Sequence, residues 1–115
     1  MIAVIFEVEP HPGHKDDYLA EAARLKPLLE AMDGFVSVER FQSLATPGKI
    51  LSLSIWRDEE AVRGWRNHDA HRETQHRGRE TIFRDYRLRV AAVLRDYGMN
   101  VRAEAPADSR AEHGE

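Results

Sequence analysis

The chain is 115 residues long, enough for one hydrophobic core, and its 42% apolar and 32% charged residues are typical of an ordinary globular protein. The absence of cysteine excludes disulfide frameworks, thiolate metal sites and cysteine nucleophiles. The net charge of −3, mixed in sign, lacks the electrostatic footprint of a nucleic-acid binder. No apolar run approaches the ~20 residues that cross a bilayer, so we expect no membrane partner.

The chain begins with a strand followed by a helix. Apolar and polar positions alternate over residues 2–9, and Met1 leads into this strand without the features of a secretory signal, so we expect the cytoplasm. Helical spacing then runs over residues 14–32, with Pro27 expected to bend or interrupt the helix near its end. Gly34 supplies the backbone freedom that a helix stop requires.

A hairpin is predicted next. Residues 35–44 and 50–56 have strand character, and the intervening Thr46-Pro47-Gly48-Lys49 favours a turn. The third strand has one leucine- and isoleucine-rich face and one face interrupted by Ser52 and Ser54. Such a half-polar strand fits a sheet that packs on helices on one side and on a less apolar environment on the other.

The second half of the chain predicts a broken helix and a long last strand. Asp58 is a plausible helix N-cap, residues 67–69 suggest a break, and a second helical piece runs over residues 70–77. Alternation over residues 81–97 predicts the final strand. Residues 99–115 have almost nothing to bury, and we expect this tail to be disordered.

The element order is β-α-β-β-α-β, the split arrangement of ferredoxin-like α+β domains with a four-stranded antiparallel sheet. We therefore predict one such domain over residues 1–98. Four small or apolar residues fall on the sheet face away from the helices: Ala3, Ile5, Ala91 and Val93. Sheet-to-sheet packing of two copies covers this face and removes exposed strand edges, so a homodimeric α+β barrel is expected.

Three short segments carry a resemblance to a known family: HPGH at 11–14, MDGF at 32–35 and IWRDEEAVRGWR at 55–66. In this order and spacing they resemble the antibiotic-biosynthesis-monooxygenase domain over residues 2–97. The resemblance implies a homodimeric barrel with a pocket in each subunit between the helices and the sheet. Its known members include cofactor-independent oxygenases of aromatic polyketides or quinols, and haem-degrading enzymes. Fold alone does not determine which activity a member has.

The resemblance also indicates candidate site residues. Trp65 aligns with the helix tryptophan that borders the family pocket, where a rigid aromatic wall suits a flat ligand, although the same residue also suits the core. Phe6 is a further candidate for the pocket wall. His71 falls in the segment that closes over the pocket and is the candidate base, with a solvent-facing or capping histidine as the alternative. Asn67 and Arg72 are candidates for the polar groups that favour a substrate anion.

Metal binding and haem degradation are two alternative chemistries that the residues bear on. His68 and His71 are three positions apart but have no third ligand at matched spacing, so we expect no metal site. Haem-degrading relatives use a first-strand Asn and a His about ten residues after the helix Trp. Here the first-strand position is Phe6 or Glu7, and ten residues after Trp65 stands Gln75, with His76 one step, or about 100°, further round the helix.

Our first hypothesis is thus a cofactor-independent monooxygenase that oxidises a small aromatic, polyketide-like or quinol-like compound with O2. The alternatives are a non-catalytic ligand-binding or accessory dimer and, third, a haem-binding or haem-degrading protein. Four charged residues on strands favour a cross-strand ion-pair network at the dimer interface: Glu7, Glu39, Arg87 and Arg89.

Overall fold

A computed structural model describes the backbone of residues 1–115 and every side chain except those of Asp69, Ala70 and Glu80. The strands are β1 (Ile2–Pro10), β2 (Phe35–Gln42), β3 (Ile50–Trp56) and β4 (Phe83–Ala92). The helices are α1 (Lys15–Glu30), α2 (Glu59–Arg66), α3 (Asp69–Arg77) and α4 (Ala107–His113), and a single π-helical turn spans Gly78–Ile82. The strands form one antiparallel sheet in the order β2-β3-β1-β4. The predicted ferredoxin-like α+β fold is confirmed.

The strand register decides which side chains meet the helices. Val4 of β1 lies opposite Ser54 of β3 and Val90 of β4, and Phe6 lies opposite Ser52. Residues that pair in this way project to the same face of the sheet. The serine side of β3 therefore faces α1 and α2, and the leucine side faces away from them. This corrects the expectation that the more apolar side of β3 packs on the helices.

Two buried clusters hold the helices on the sheet. One joins Val8, Tyr18, Ile50 and Ile82, and the other joins Leu29, Trp56 and Ala61. Trp56 is 1% exposed, and its indole Nε1–H donates to Ser54 Oγ at 2.9 Å, so the ring is packed without an unpaired donor. The gap between the two clusters leaves room for a cavity.

Two of the segments that resemble the family meet at one end of the sheet. Gly34 lies in the turn after α1 and has φ +83°. Its carbonyl accepts a hydrogen bond from the Arg57 backbone N–H at 2.7 Å. The Arg57 guanidinium binds the Asp33 carboxylate through both terminal nitrogens. Asp58 caps α2 as predicted, since its carboxylate accepts from the Ala61 N–H at 2.9 Å.

The predicted break between two helical pieces is confirmed, since α2 ends at Arg66 and α3 begins at Asp69. Other boundaries differ from the sequence expectations. Helix α1 continues past Pro27 to Glu30, and the residues before Phe83 form the π-helical turn instead of the start of β4.

The segment after β4 contains regular structure as well. Part of the tail expected to be disordered forms α4, which lies beside the Arg102 side chain. That guanidinium donates to the carbonyl oxygens of Gly98, Ser109 and Gly114. We expected disorder because the tail has few apolar residues to bury. The polar contacts of Arg102 instead link residues 98–114 to one another.

The sheet face away from the helices, here called the open face, has a group of apolar residues beside charged ones. Five of its residues are partly buried or buried: Ala3, Ile5, Leu51, Leu53 and Ile55. Ala91 lies there too, whereas Val93 follows the end of β4. Glu7 lies on the same face and pairs with Arg89 at 3.1 Å and with Lys49 at 3.7 Å. Across the part of the chain that the structure describes, no helix is long and apolar enough to cross a membrane.

Candidate functional site

A cavity of about 180 Å³ lies between the helices and the sheet. Its floor is the helix-facing side of all four strands, α1 forms one wall, and α2 and α3 with the π-helical turn form the other. Leu88 and Val90 of β4 line the cavity and are 49% and 46% exposed, so the cavity opens over β4. The lining is predominantly apolar with a few polar groups, which is typical of a small-molecule site.

Aromatic rings form one end of this cavity. Phe6 of β1, Tyr18 of α1 and Phe83 of β4 all line it, and their ring centroids are 5.8 to 6.5 Å apart. Tyr86 closes the group, with its ring 5.6 Å from Phe6. These tilted and edge-on contacts fix the rings against each other. Phe6, the sequence candidate for the pocket wall, lines this cavity.

Trp65 and His71 form a stacked pair on the opposite wall. Trp65 on α2 packs against the Trp56 cluster and also lines the cavity, so both sequence interpretations of this residue describe it. The His71 ring on α3 lies parallel to the indole, at 4.7 Å between centroids and 20° between planes. The break between α2 and α3 turns the chain so that α3 brings His71 back over Trp65.

One hydrogen bond assigns the tautomer of His71. Its Nδ1 lies 3.2 Å from the Trp65 carbonyl oxygen, which only accepts, so Nδ1 carries the hydrogen. In the neutral ring Nε2 then has a free lone pair. Burial lowers the pKa of His71, the bond to Trp65 partly offsets this, and the nearby His68 lowers it again. The pKa therefore lies below its ordinary value, and the imidazole is neutral at pH 7.

A carboxylate hub ties α1 to α3 beside the cavity. Glu21 accepts hydrogen bonds from Arg24 at 3.0 Å, from the Thr74 hydroxyl at 3.0 Å and from Arg77 at 3.1 Å. Partial burial raises the pKa of Glu21, but the bonds from Arg24 and Thr74 and the charges of Arg24 and Arg77 outweigh it, so the pKa is lowered. Because α3 also carries His71, this hub helps to fix the position of the imidazole.

Sequence reasoning missed the polar part of the cavity floor. Arg40 of β2 lines the cavity and lies opposite Ser52 of β3, with Ser54 two positions further along β3. The Arg40 Nε atom is buried and has no hydrogen-bond partner in the part of the chain whose side chains are described. The alternation in β3 indicates this lining in the sequence, because Ser52 and Ser54 fall on one face of an otherwise apolar strand and make that face polar.

Two of the site residues predicted from the sequence lie outside the cavity. Asn67 is exposed at the end of α2 and Arg72 is exposed on α3, and neither is among the described residues that line the cavity. This corrects their assignment to the site: Asn67 belongs to the connection between the helices, and Arg72 is rotated by about 100° from His71 on α3. Gln75 lines the cavity, whereas His76, the displaced candidate for an iron ligand, is exposed outside it.

The His68 and His71 pair lies close to Trp65. The His68 ring lies 5.5 Å from the indole and tilted by 34°. Within the residues that the structure describes, no group of three or more His, Asp or Glu side chains has the geometry to hold a metal ion.

The fold and the site define a class: a ferredoxin-like domain with a small, aromatic-walled cavity that contains a neutral imidazole. Residues 1–77 match the model of the antibiotic biosynthesis monooxygenase family. The chain belongs to this family, as the resemblance predicted.

Known proteins of similar sequence and structure agree with this. The chain is 47% identical over 93 residues to a protein of Pyricularia oryzae named jasmonate monooxygenase ABM, covering 81% of this chain and 43% of the relative. It thus spans less than half the length of that relative. A solved structure from Mycobacterium tuberculosis aligns with TM-score 0.75 at 21% identity, covering 84% of this chain and 98% of the other. SnoaB, a cofactor-independent oxygenase from Streptomyces nogalater, aligns with TM-score 0.71 at 13% identity, covering 83% and 94%. At these identities the structural matches show the fold alone.

Proposed function

We propose that this chain is a cofactor-independent monooxygenase that oxidises a small cyclic compound with O2 in the cavity beside Trp65. The observation that carries the proposal is the His71 imidazole, which is neutral, holds its hydrogen on Nδ1 and has Nε2 free of hydrogen-bond partners among the described residues. Such a group is suited to accept a proton from a substrate hydroxyl. Membership of the family and the name of the Pyricularia oryzae relative support the reaction class.

The electrons for such a reaction come from the substrate. A phenol that reacts with O2 to give a quinone and water gains one oxygen atom, releases the other as water and supplies all four electrons. Nε2 of His71 accepts the phenol proton, and the resulting anion is the species that reacts with O2. The cavity contributes an apolar, aromatic enclosure, which limits water at the reacting carbon. Phe6 and Trp65 contact the ring of the substrate, and Trp65 also stabilises the charged imidazole by stacking.

The experiment is oxygen uptake by the purified protein with a panel of phenols, quinols and polycyclic phenols, and with jasmonate because of the relative's name. We expect substrate-dependent uptake that falls strongly in His71→Ala and Trp65→Phe. His76→Ala is the matched control, since this histidine is exposed outside the cavity on the same helix. Uptake that is equal in wild type and His71→Ala would contradict the assignment of the base.

Two other experiments test the alternative functions. A compound that raises the melting temperature but is recovered unchanged supports a non-catalytic binding protein. A haem titration without a shifted Soret band removes the haem hypothesis.

We further propose that two copies pack open face to open face to form a barrel. The supporting observation is the apolar content of this face, in which Leu51, Leu53 and Ile55 lie beside Ala3 and Ile5. A contiguous apolar surface of this kind marks an association site. Sedimentation equilibrium checks it, with a dimer expected at micromolar concentration.

A further inference from the structure

The cavity side of β2 carries the cation Arg40. This arginine is half-buried on the cavity floor, and its Nε atom is buried and has no hydrogen-bond partner among the described residues. Among the side chains that the structure describes, no carboxylate lies within ion-pair distance of this guanidinium. A buried donor without a partner costs about 1–3 kcal/mol, and more when the group is charged.

Several other arginines of this chain form ion pairs. Arg24 and Arg77 share the Glu21 carboxylate, and Arg89 pairs with Glu7 on the open face. Glu21 is the acidic side chain among the described residues that line the cavity, and its Oε2 atom accepts hydrogen bonds from these two arginines and from Thr74. Among the described side chains Arg40 therefore has no counter-ion, and a bound anion can fill this place.

We infer that the cavity selects an anionic substrate, a small apolar ring that carries a carboxylate, and that Arg40 binds this carboxylate on the cavity floor. The planar guanidinium matches a carboxylate with two parallel N–H donors. Ser52, opposite Arg40 on β3, adds a hydroxyl donor at the same end. The remaining lining is apolar and aromatic, which leaves the ring of the substrate beside Phe6 and Trp65. This inference rests on the proposed function only in taking the cavity as the substrate site.

The test compares acids with their methyl esters, which have nearly the same shape but no charge. Phenylacetate, cyclohexylacetate and 1-naphthylacetate, each with its ester, are titrated into the protein by isothermal calorimetry. In the wild type we expect at least one acid to bind about 10- to 100-fold more tightly than its ester, the range for hydrogen bonds to a charged group. In Arg40→Met this ratio falls to about one while the affinity for the ester stays, which shows that the cavity is intact.

Two further variants sharpen the result. Arg40→Lys keeps the charge without the paired donors and retains part of the preference for the acid. Arg95→Met is the matched control, because this arginine is exposed beyond the end of β4, and its acid-to-ester ratio equals that of the wild type. If Arg40→Met does not fold, the acid-to-ester ratios of the wild type and Arg40→Lys still decide the question.

The outcomes separate this inference from the proposed function. Esters that bind as tightly as acids in the wild type overturn the inference and leave the proposed function standing. Arg66 on α2 also lines the cavity and is exposed, so an acid preference that survives in Arg40→Met and disappears in Arg66→Met has the same consequence. Acids that bind through Arg40 support the inference, whereas the absence of oxygen uptake with the whole panel of phenols and quinols contradicts the proposed function alone. If neither acids nor esters bind, the inference is overturned, and the oxygen-uptake assay decides the proposed function separately.

Discussion

The carboxylate hub at Glu21 allows a stability prediction that can be worked from the contacts. Glu21→Gln keeps the size of the side chain but removes the charge that binds Arg24 and Arg77. Glu21 is only 20% exposed, whereas each arginine is 45% exposed, so each ion pair contributes less than about 1 kcal/mol. With the hydrogen bond from Thr74 weakened as well, we expect a loss of about 1–2 kcal/mol in the free energy of unfolding. For a chain of this size that lowers the melting temperature by about 4–8 °C.

The pH dependence of this loss has a defined sign. The pKa of Glu21 is lowered in the folded state, so its contribution is fully present above the unfolded value of 4.5 and is lost as the pH falls through the folded pKa. Urea unfolding of wild type and Glu21→Gln at several pH values measures the difference, which is expected at pH 7 and disappears in acid.

A matched control lies on the neighbouring helix. Glu73 is 68% exposed and 4.0 Å from the same Arg77, so Glu73→Gln is expected to change stability by less than about 0.5 kcal/mol. The reasoning is refuted if the two variants lose the same stability, or if the Glu21→Gln loss stays constant down to low pH.

Three further predictions concern catalysis, the turn after α1 and assembly. The pKa of His71 is lowered, so kcat/KM should rise with pH through a value below 6.5 and then stay level, and a midpoint above 6.5 in the pH profile contradicts this. Gly34→Ala places a Cβ 2.6 Å from that of Ala61 at φ +83° and should cost about 3 kcal/mol in urea unfolding. The control Gly48→Ala, at φ +85° with nothing within 4 Å, should cost about 1 kcal/mol, and equal losses would show that the contact is unimportant. Leu53→Asp on the open face should yield a monomer by sedimentation equilibrium, and an unchanged mass would argue against this face as the interface.

The site was only partly predictable from the sequence. Trp65 and His71 were found because they lie close together in the chain and in a segment that resembles the family. Arg40 was not found, because a lone arginine in an amphipathic strand has the same pattern whether it faces water or a cavity. Asn67 and Arg72 were placed in the site on proximity to Trp65 alone, and the turn between α2 and α3 carries them away from the cavity.

Taken by itself, the sequence determined the order of the elements, the cap at Asp58 and the stop at Gly34, because alternation, helical spacing and capping depend on neighbouring residues. The tertiary structure decided which face of β3 meets the helices, because alternation separates two faces without saying which one is covered. It also decided that Glu21 contacts Arg77, which is 56 residues away in the sequence. The Arg40 Nε atom likewise lies on the cavity floor without a hydrogen-bond partner among the described residues. Contacts of this kind depend on how helices lie across a sheet, which no local pattern records.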